Sequence, residues 1–379
     1  MTQTRPSSRP HPLRPRLKPV LRRVERDDRT LQLGVNPMRA VMLTKLEPPE
    51  RGFVEALDGT RTLDELVATA DIGEETARKL VRLLAEGGLL DDAAVRPDAL
   101  RGLSAPERER LAPDLDDLSL SPADAADAGL SALARRRRAQ VRVYGAGRVG
   151  AQIAVLLAAS GIGHLCVVDP APTRHEHVVP GGLSYTDVGH PREEAAAAAA
   201  RRIAPGVNVW TGRAASRPAD RASPPDLVVL APVTPLDPLT APELLQSGIP
   251  HLLVSATEGI GTVGPLVLPG RSPCLHCLEL TRRDHDPAWP LVGAHLGGYP
   301  AGEIACGTAL STAVAAQATG HALTHIDGFD PQVVGRSIDI TPDWQWKRRP
   351  WPIHPHCTCT PSPQGPWQGT PYEERDSTP

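Results

Sequence analysis

A chain of 379 residues, 40% of them hydrophobic, has enough length and apolar content for two or three domains, each with its own core. Two Phe, six Trp and four Tyr stand against 33 Gly and 41 Pro, so Ala, Leu and Val fill the interior and long connections are expected. A net charge of -3 argues against any general attraction to nucleic acid, and the missing apolar run of ~18 residues argues against a membrane span. With no apolar signal core near Met1, the chain is expected to be cytoplasmic. Its six cysteines are too sparse for a disulfide scaffold, and four fall in two close pairs, a pattern of metal or redox chemistry.

Residues 1–16 are dense in Arg and Pro and are expected to be disordered. A first domain is expected over residues 17–92. Leu31 to Val35 and Ala40 to Leu43 read as strands around an Asn36-Pro37 turn, and Pro48 to Leu57 as a helix ending at Asp58-Gly59. Thr62 with Glu65 has capping-box spacing, and Glu74 to Glu86 carries Ala77, Leu80, Val81, Leu83 and Leu84 on one stripe before Gly87-Gly88. Strands followed by short helices suggest a winged-helix-like unit. The run Leu57-Asp58-Gly59-Thr60-Arg61-Thr62-Leu63-Asp64-Glu65-Leu66-Val67 and the stretch Leu80 through Leu90 resemble the PqqD-like domains, also called RiPP recognition elements. That resemblance implies capture of a leader peptide as an added strand on an exposed sheet edge; the other reading is a helical spacer without a ligand.

Residues 93–134, rich in Asp, Ala and Pro, are expected to be a linker with little to anchor them. Arg135 to Arg138 is expected to be a solvated helix end, with a phosphate contact as the alternative. Val141 to Tyr144 then reads as a buried strand entering Gly145-Ala146-Gly147-Arg148-Val149-Gly150. A helix follows to Ser160, and His164 to Asp169 forms a strand ending in an acid. Strand, glycine loop, helix, strand and acid is the order of a Rossmann-like nucleotide fold. Gly145 permits the turn, Gly147 lets backbone approach phosphate, Gly150 allows close packing, and Asp169 is placed to hold ribose hydroxyls. His175 and His177, just beyond, are expected to face solvent.

Together with Ala158-Ala159-Ser160-Gly161-Ile162-Gly163 and the downstream cysteine pairs, this region resembles the ThiF, MoeB and HesA family of ubiquitin-activating-like adenylyltransferases. The expected domain spans residues 135–360: a doubly wound α/β sheet with a zinc-stapled C-terminal lobe, followed by a disordered tail at 361–379. The resemblance implies ATP and magnesium activating a C-terminal carboxylate of a peptide or small protein, and a homodimer. It places Gly145, Gly147 and Gly150 at the phosphates and Asp169 at the ribose. It places Arg192, in Gly189-His190-Pro191-Arg192, where the family has a phosphate-binding lysine. Two parts of the pattern are missing. Asp169-Pro170-Ala171-Pro172 and Gly181-Gly182-Leu183-Ser184-Tyr185 replace a second aspartate and Ser-Asn-Leu-x-Arg-Gln. Ala231-Pro232-Val233-Thr234-Pro235-Leu236-Asp237 replaces the magnesium-binding turn, leaving Asp237 as its substitute.

Cys274-Leu275-His276-Cys277 and Cys357-Thr358-Cys359 offer four sulfurs for a closed tetrahedral zinc. His276, His354 and His356 are possible replacements for a sulfur. A redox CxxC is disfavoured because no helix N-terminus is evident at Cys274. Cys306 and Cys166 read as packing residues. Trp344, Trp346 and Trp351, alternating with Lys347, Arg348 and Arg349, are expected to pack a closing strand onto the metal lobe. The leading functional expectation is ATP-dependent activation of a peptide or small-protein carboxylate, at a site from which some of the family's charges are missing. The alternative is a non-catalytic leader-peptide-binding partner of a peptide-modifying system. A nicotinamide oxidoreductase is weakest, because no Tyr-Lys or His-Asp catalytic pair stands out.

Overall fold

A computed structural model of the chain describes residues 12–95, 98–121, 127–212, 224–233, 237–295, 303 and 305–359. Two units divide the chain, Met1–Ala134 and Arg135–Pro379. In the first, β1 (Pro15–Leu17) pairs antiparallel with β5 (Leu90–Asp92). The strands β2 (Arg23–Asp27), β3 (Thr30–Leu33) and β4 (Val41–Leu43) form a separate antiparallel sheet with β3 central. Alternation along β3 turns Leu31 and Leu33 inward. Neither β1 nor β2 was expected from the sequence: β1 is three residues long and β2 is exposed along its whole length, so neither carries an apolar alternation.

Helices α1 (Pro48–Glu55), α2 (Leu63–Ala68) and α3 (Glu74–Glu86) close this unit. The α2 capping box forms as its spacing requires: Glu65 N–H donates to Thr62 Oγ1 at 3.2 Å and Thr62 N–H to a Glu65 carboxylate oxygen at 2.7 Å. Ala77, Val81 and Leu84 of α3 are buried against Leu17, Leu33 and Leu66. The stretch read as a linker is more structured than expected. It contains α4 (Ala105–Ser119), capped by Ser104 and Glu107, and the beginning of α5 (Leu130–Arg138). Leu118 and Leu133 are buried in a small cluster with Ala99 and Ala132, and the buried Lys18 ammonium donates to the Ser119 carbonyl. A few well-spaced leucines anchor a segment whose average composition is polar.

In the second unit the described strands form one eight-stranded sheet, whose four parallel pairs join β8 (Asn208–Thr211), β7 (His164–Val168), β6 (Gln140–Tyr144), β9 (Leu227–Leu230) and β10 (His251–Thr257) in that spatial order. Strands β11 (Ile260–Val267), β12 (Arg336–Ile340) and β13 (Trp346–Pro350) continue the sheet antiparallel. Val141, Val143, Leu227 and Val229 are fully buried because parallel strands are covered on both faces; each contributes roughly 1.5–3 kcal/mol. Helices α6 (Gly150–Ala159), α7 (Arg192–Ile203) and α11 (Thr308–Ile326) supply mostly alanine to the core, as the shortage of aromatics requires. The order in which successive strands are laid down reverses between the parallel strands β6 and β9, the switch point at whose carboxyl end ligands of such sheets bind. Among the described residues no helix is long and apolar enough to cross a membrane.

The arginine run ends α5, as its charge at a helix C-terminus favours, but Arg136 is not solvated. It is buried and makes a two-pronged ion pair with Asp327 at 2.9 and 2.7 Å, while also donating to the Ser160 carbonyl at 3.2 Å.

Candidate functional site

The glycine loop leaves β6 at the switch point and turns into α6, with Gly145 at φ +89°, where an L side chain is strained. Space enforces the same choice. A β-carbon at Gly145 would stand 1.9 Å from the Ala231 carbonyl oxygen, and one at Gly150 would stand 1.9 Å from that of Gly145. These two glycines hold the loop against β9 and against itself. Gly147 differs, since its β-carbon would meet side chains, Glu303 Oε2 at 2.3 Å and Val233 Cγ2 at 2.5 Å.

Asp169, one residue past β7, and Arg192, at the first position of α7, face each other. Arg192 Nε donates to Asp169 Oδ2 at 2.8 Å and Nη2 to Oδ1 at 2.9 Å, both side chains being under 10% exposed. Asp169 also accepts the Ala146 N–H at 2.8 Å, which ties the acid to the glycine loop. Glu193 accepts the Asp169 N–H at 2.9 Å and so fixes the end of β7. Thus the ribose acid and the phosphate cation expected from the sequence are brought together, and each satisfies the other. His177, expected in solvent, is 4% exposed. It accepts the Arg174 N–H at 2.9 Å and touches Arg192 Nη1 at 3.4 Å. Burial, and then the Arg192 cation, hold its imidazole below the ordinary histidine range.

One charged group at the cleft had no sequence signal. Glu303, partly buried, accepts the Arg148 N–H at 2.7 Å and the Val149 N–H at 3.3 Å, the donors at the start of α6 that would meet a phosphate. The Arg148 side chain turns the other way, to the carbonyls of Glu176 and Val178 and the Thr308 hydroxyl. Asp237 is exposed, and its carboxylate accepts the Leu239 N–H at 2.9 Å ahead of α8 (Thr240–Gln246). Its described contacts are with that helix start and not with Asp169 or Arg192.

The second feature is the cysteine cluster. Cys274 precedes α9 (Leu275–His285), Cys277 lies in its first turn, and Cys357 and Cys359 follow β13. Sulfur separations are 3.8 Å for Cys274 to Cys277, 3.6 Å for Cys274 to Cys357 and 3.3 Å for Cys277 to Cys359, and all four lie within 4.8 Å of one another. These distances are far too long for disulfides and close to the ~3.8 Å edge of a tetrahedron of sulfurs about 2.3 Å from one ion. Without a cation, burial pushes the Cys274 thiol up to about 11. A divalent cation would be held by the four sulfurs as thiolates, leaving no open position and serving to close the fold. His354 is not in the cluster; its Nε2 is 2.8 Å from Asp284, and its Nδ1 accepts the His356 N–H at 3.1 Å. Cys274 is the N-cap of α9, so a helix N-terminus does stand at the CxxC, contrary to the reason given against redox chemistry. Four convergent sulfurs, and not the missing helix, favour the metal.

Cys166 and Cys306 are buried packing residues, each pushed up to about 11 by burial. Of the tryptophans only Trp351 packs as expected, buried and donating to Ser337 Oγ at 3.1 Å, whereas Trp344 and Trp346 remain 51% and 46% exposed.

The sequence pattern of the ThiF family matches residues 121–359. Comparison with curated protein sequences returns no match. Among solved structures, E. coli MccB with AMPCPP and MccA is similar at a TM-score of 0.67 and 16% identity, covering 91% of this chain and 99% of that one. MccB with ATP has the same TM-score, identity and coverage. PaaA is similar at a TM-score of 0.64 and 21% identity, covering 88% of this chain and 98% of that one. At these identities the likeness establishes the fold.

Proposed function

This chain belongs to the ThiF family, and on that premise we propose that it binds a peptide and holds it for a modifying partner, without activating ATP itself. The observation that carries this reading is the buried pair of Asp169 and Arg192: the two groups needed for ribose and phosphate are spent on each other. Adenylyl transfer depends on charges preorganised toward the triphosphate, and here a clamping arginine and a metal-binding carboxylate are also missing from the pattern. Losing one preorganised donor costs roughly 2.7–4 kcal/mol in a transition state.

Peptide binding is supported by the first unit. Its sheet ends on β4, whose Met42 is 54% exposed and whose approach carries the exposed Val35 and Met38. The opposite edge, β2, is charged and its register shifts between Glu25 and Asp27, which blunts it against added strands. A peptide would add to β4 through main-chain hydrogen bonds, as the resemblance to RiPP recognition elements implies. MccB, of like fold, has been solved together with MccA. The four-sulfur set supports zinc as the resident ion.

A library of displayed linear peptides, panned on the full chain, tests the reading. Enriched peptides should lose binding to Met42→Pro, which removes a strand N–H, while the wild type shows no peptide-dependent pyrophosphate exchange with magnesium ATP. Binding undiminished in Met42→Pro contradicts the docking edge. The second reading, activation of a peptide carboxylate, is favoured by the preserved glycine turn and requires Arg192 to leave Asp169; peptide-dependent exchange would establish it.

A further inference from the structure

We propose that Glu303 is an internal anion that fills the phosphate position of the glycine loop, so that an oligophosphate binds this chain only when that carboxylate is displaced or removed. This rests on the carrier reading but concerns a group that reading does not need. The N-terminus of α6 offers backbone N–H donors and the positive end of a helix dipole, a setting that selects an anion. The donors are occupied: Arg148 N–H and Val149 N–H both point at the Glu303 carboxylate, at 2.7 and 3.3 Å, across more than 150 residues of sequence. Gly147 fits this placement, because a side chain there would collide with Glu303 Oε2 as well as with Val233 Cγ2. The glycine conventionally reserved for a phosphate thus makes room for a carboxylate.

Charge accounting gives the same result. The cations that act on the Glu303 carboxyl are Arg148 and Arg192. The Arg192 guanidinium is bound to Asp169, and the Arg148 guanidinium to two carbonyls and a hydroxyl. A triphosphate arriving with Glu303 in place would add several negative charges beside a fixed one, with no uncommitted cation among these groups to offset them. Burial raises the Glu303 carboxyl above the ordinary range, and the two N–H donors oppose that rise by favouring the charged form.

The test uses inorganic triphosphate as probe, titrated calorimetrically into the full chain, with circular dichroism to verify folding. Glu303→Ala should bind triphosphate on the order of a hundredfold more tightly than wild type, the scale of one removed repulsion in a partly screened site. Glu303→Gln, which keeps the shape without the charge, should gain less, because the amide still occupies the donors. Adding Gly147→Val to Glu303→Ala should abolish the gain by filling the loop. Equal triphosphate affinity in wild type and folded Glu303→Ala overturns the proposal. Peptide-dependent pyrophosphate exchange by the wild type would instead overturn the carrier reading, and Glu303→Ala would then still be expected to lower the ATP concentration needed.

Discussion

The cleft at the glycine loop and the cysteine cluster lie in the same unit and were both legible as spacing patterns, yet they end in opposite electrostatic states. In the cluster, four sulfurs converge on one another, with backbone N–H groups of Cys277 and Cys359 beside them as donors. Among the described residues no basic side chain is seen to act on these sulfurs, so as thiolates they would need a cation from outside. In the cleft, every charge the pattern contributes is balanced from inside: Asp169 by Arg192 and the Ala146 N–H, the helix start by Glu303. Convergence of ligand-type residues is therefore insufficient evidence for a ligand. What matters is whether their bonding capacity is still unspent.

The contrast breaks most visibly at the cluster. Cys274→Ser should lose the bound ion and lower the melting temperature by on the order of 10 °C, because a closed metal site contributes folding free energy directly. Metal analysis and a thermal scan check this; unchanged metal content contradicts the assignment. In the cleft the expected effect is of similar size and purely structural. Arg192→Ala leaves the buried Asp169 carboxylate without its cation and should destabilise the fold by about 3–5 kcal/mol in denaturant melts.

The three glycines sharpen the comparison further. Gly150→Ala drives a β-carbon into backbone and should destabilise, whereas Gly147→Ala meets side chains, those of Glu303 and Val233, which can shift, and should be the milder change in the same melts. A pH effect comes next. His177, His251, His321 and His325 are all held below the ordinary value by burial. Their stabilisation is fully present above the unfolded histidine pKa of about 6.5 and is lost as pH falls through the lower folded values. Stability should therefore decline from pH 7.5 to 5, and His177→Gln should shallow that decline. The smallest expected change is in the first unit, where Thr62→Ala should cost about 1 kcal/mol through loss of one cap.

What the sequence disclosed was local. The capping box at Thr62 and Glu65, the turn at Gly145, the strand ending in Asp169 and the two cysteine pairs all depend on residues a few positions apart, where backbone periodicity dictates geometry. What it concealed was pairing across the fold. Nothing beside Glu303 announces Arg148 and Val149, and nothing beside Arg136 announces Asp327, 191 positions away. His177 was misjudged because loop position says nothing of what folds over it. Trp344 and Trp346 were misjudged because only Trp351 has an indole partner, Ser337, within the sheet. Composition misled at α4, where averaging hid two leucines at buried positions.

Calorimetric titration of magnesium ATP into the wild-type full chain tests the central claim, that this cleft is satisfied by its own charges, most directly. The account predicts no saturable heat. A saturable isotherm with one ATP per chain would contradict it.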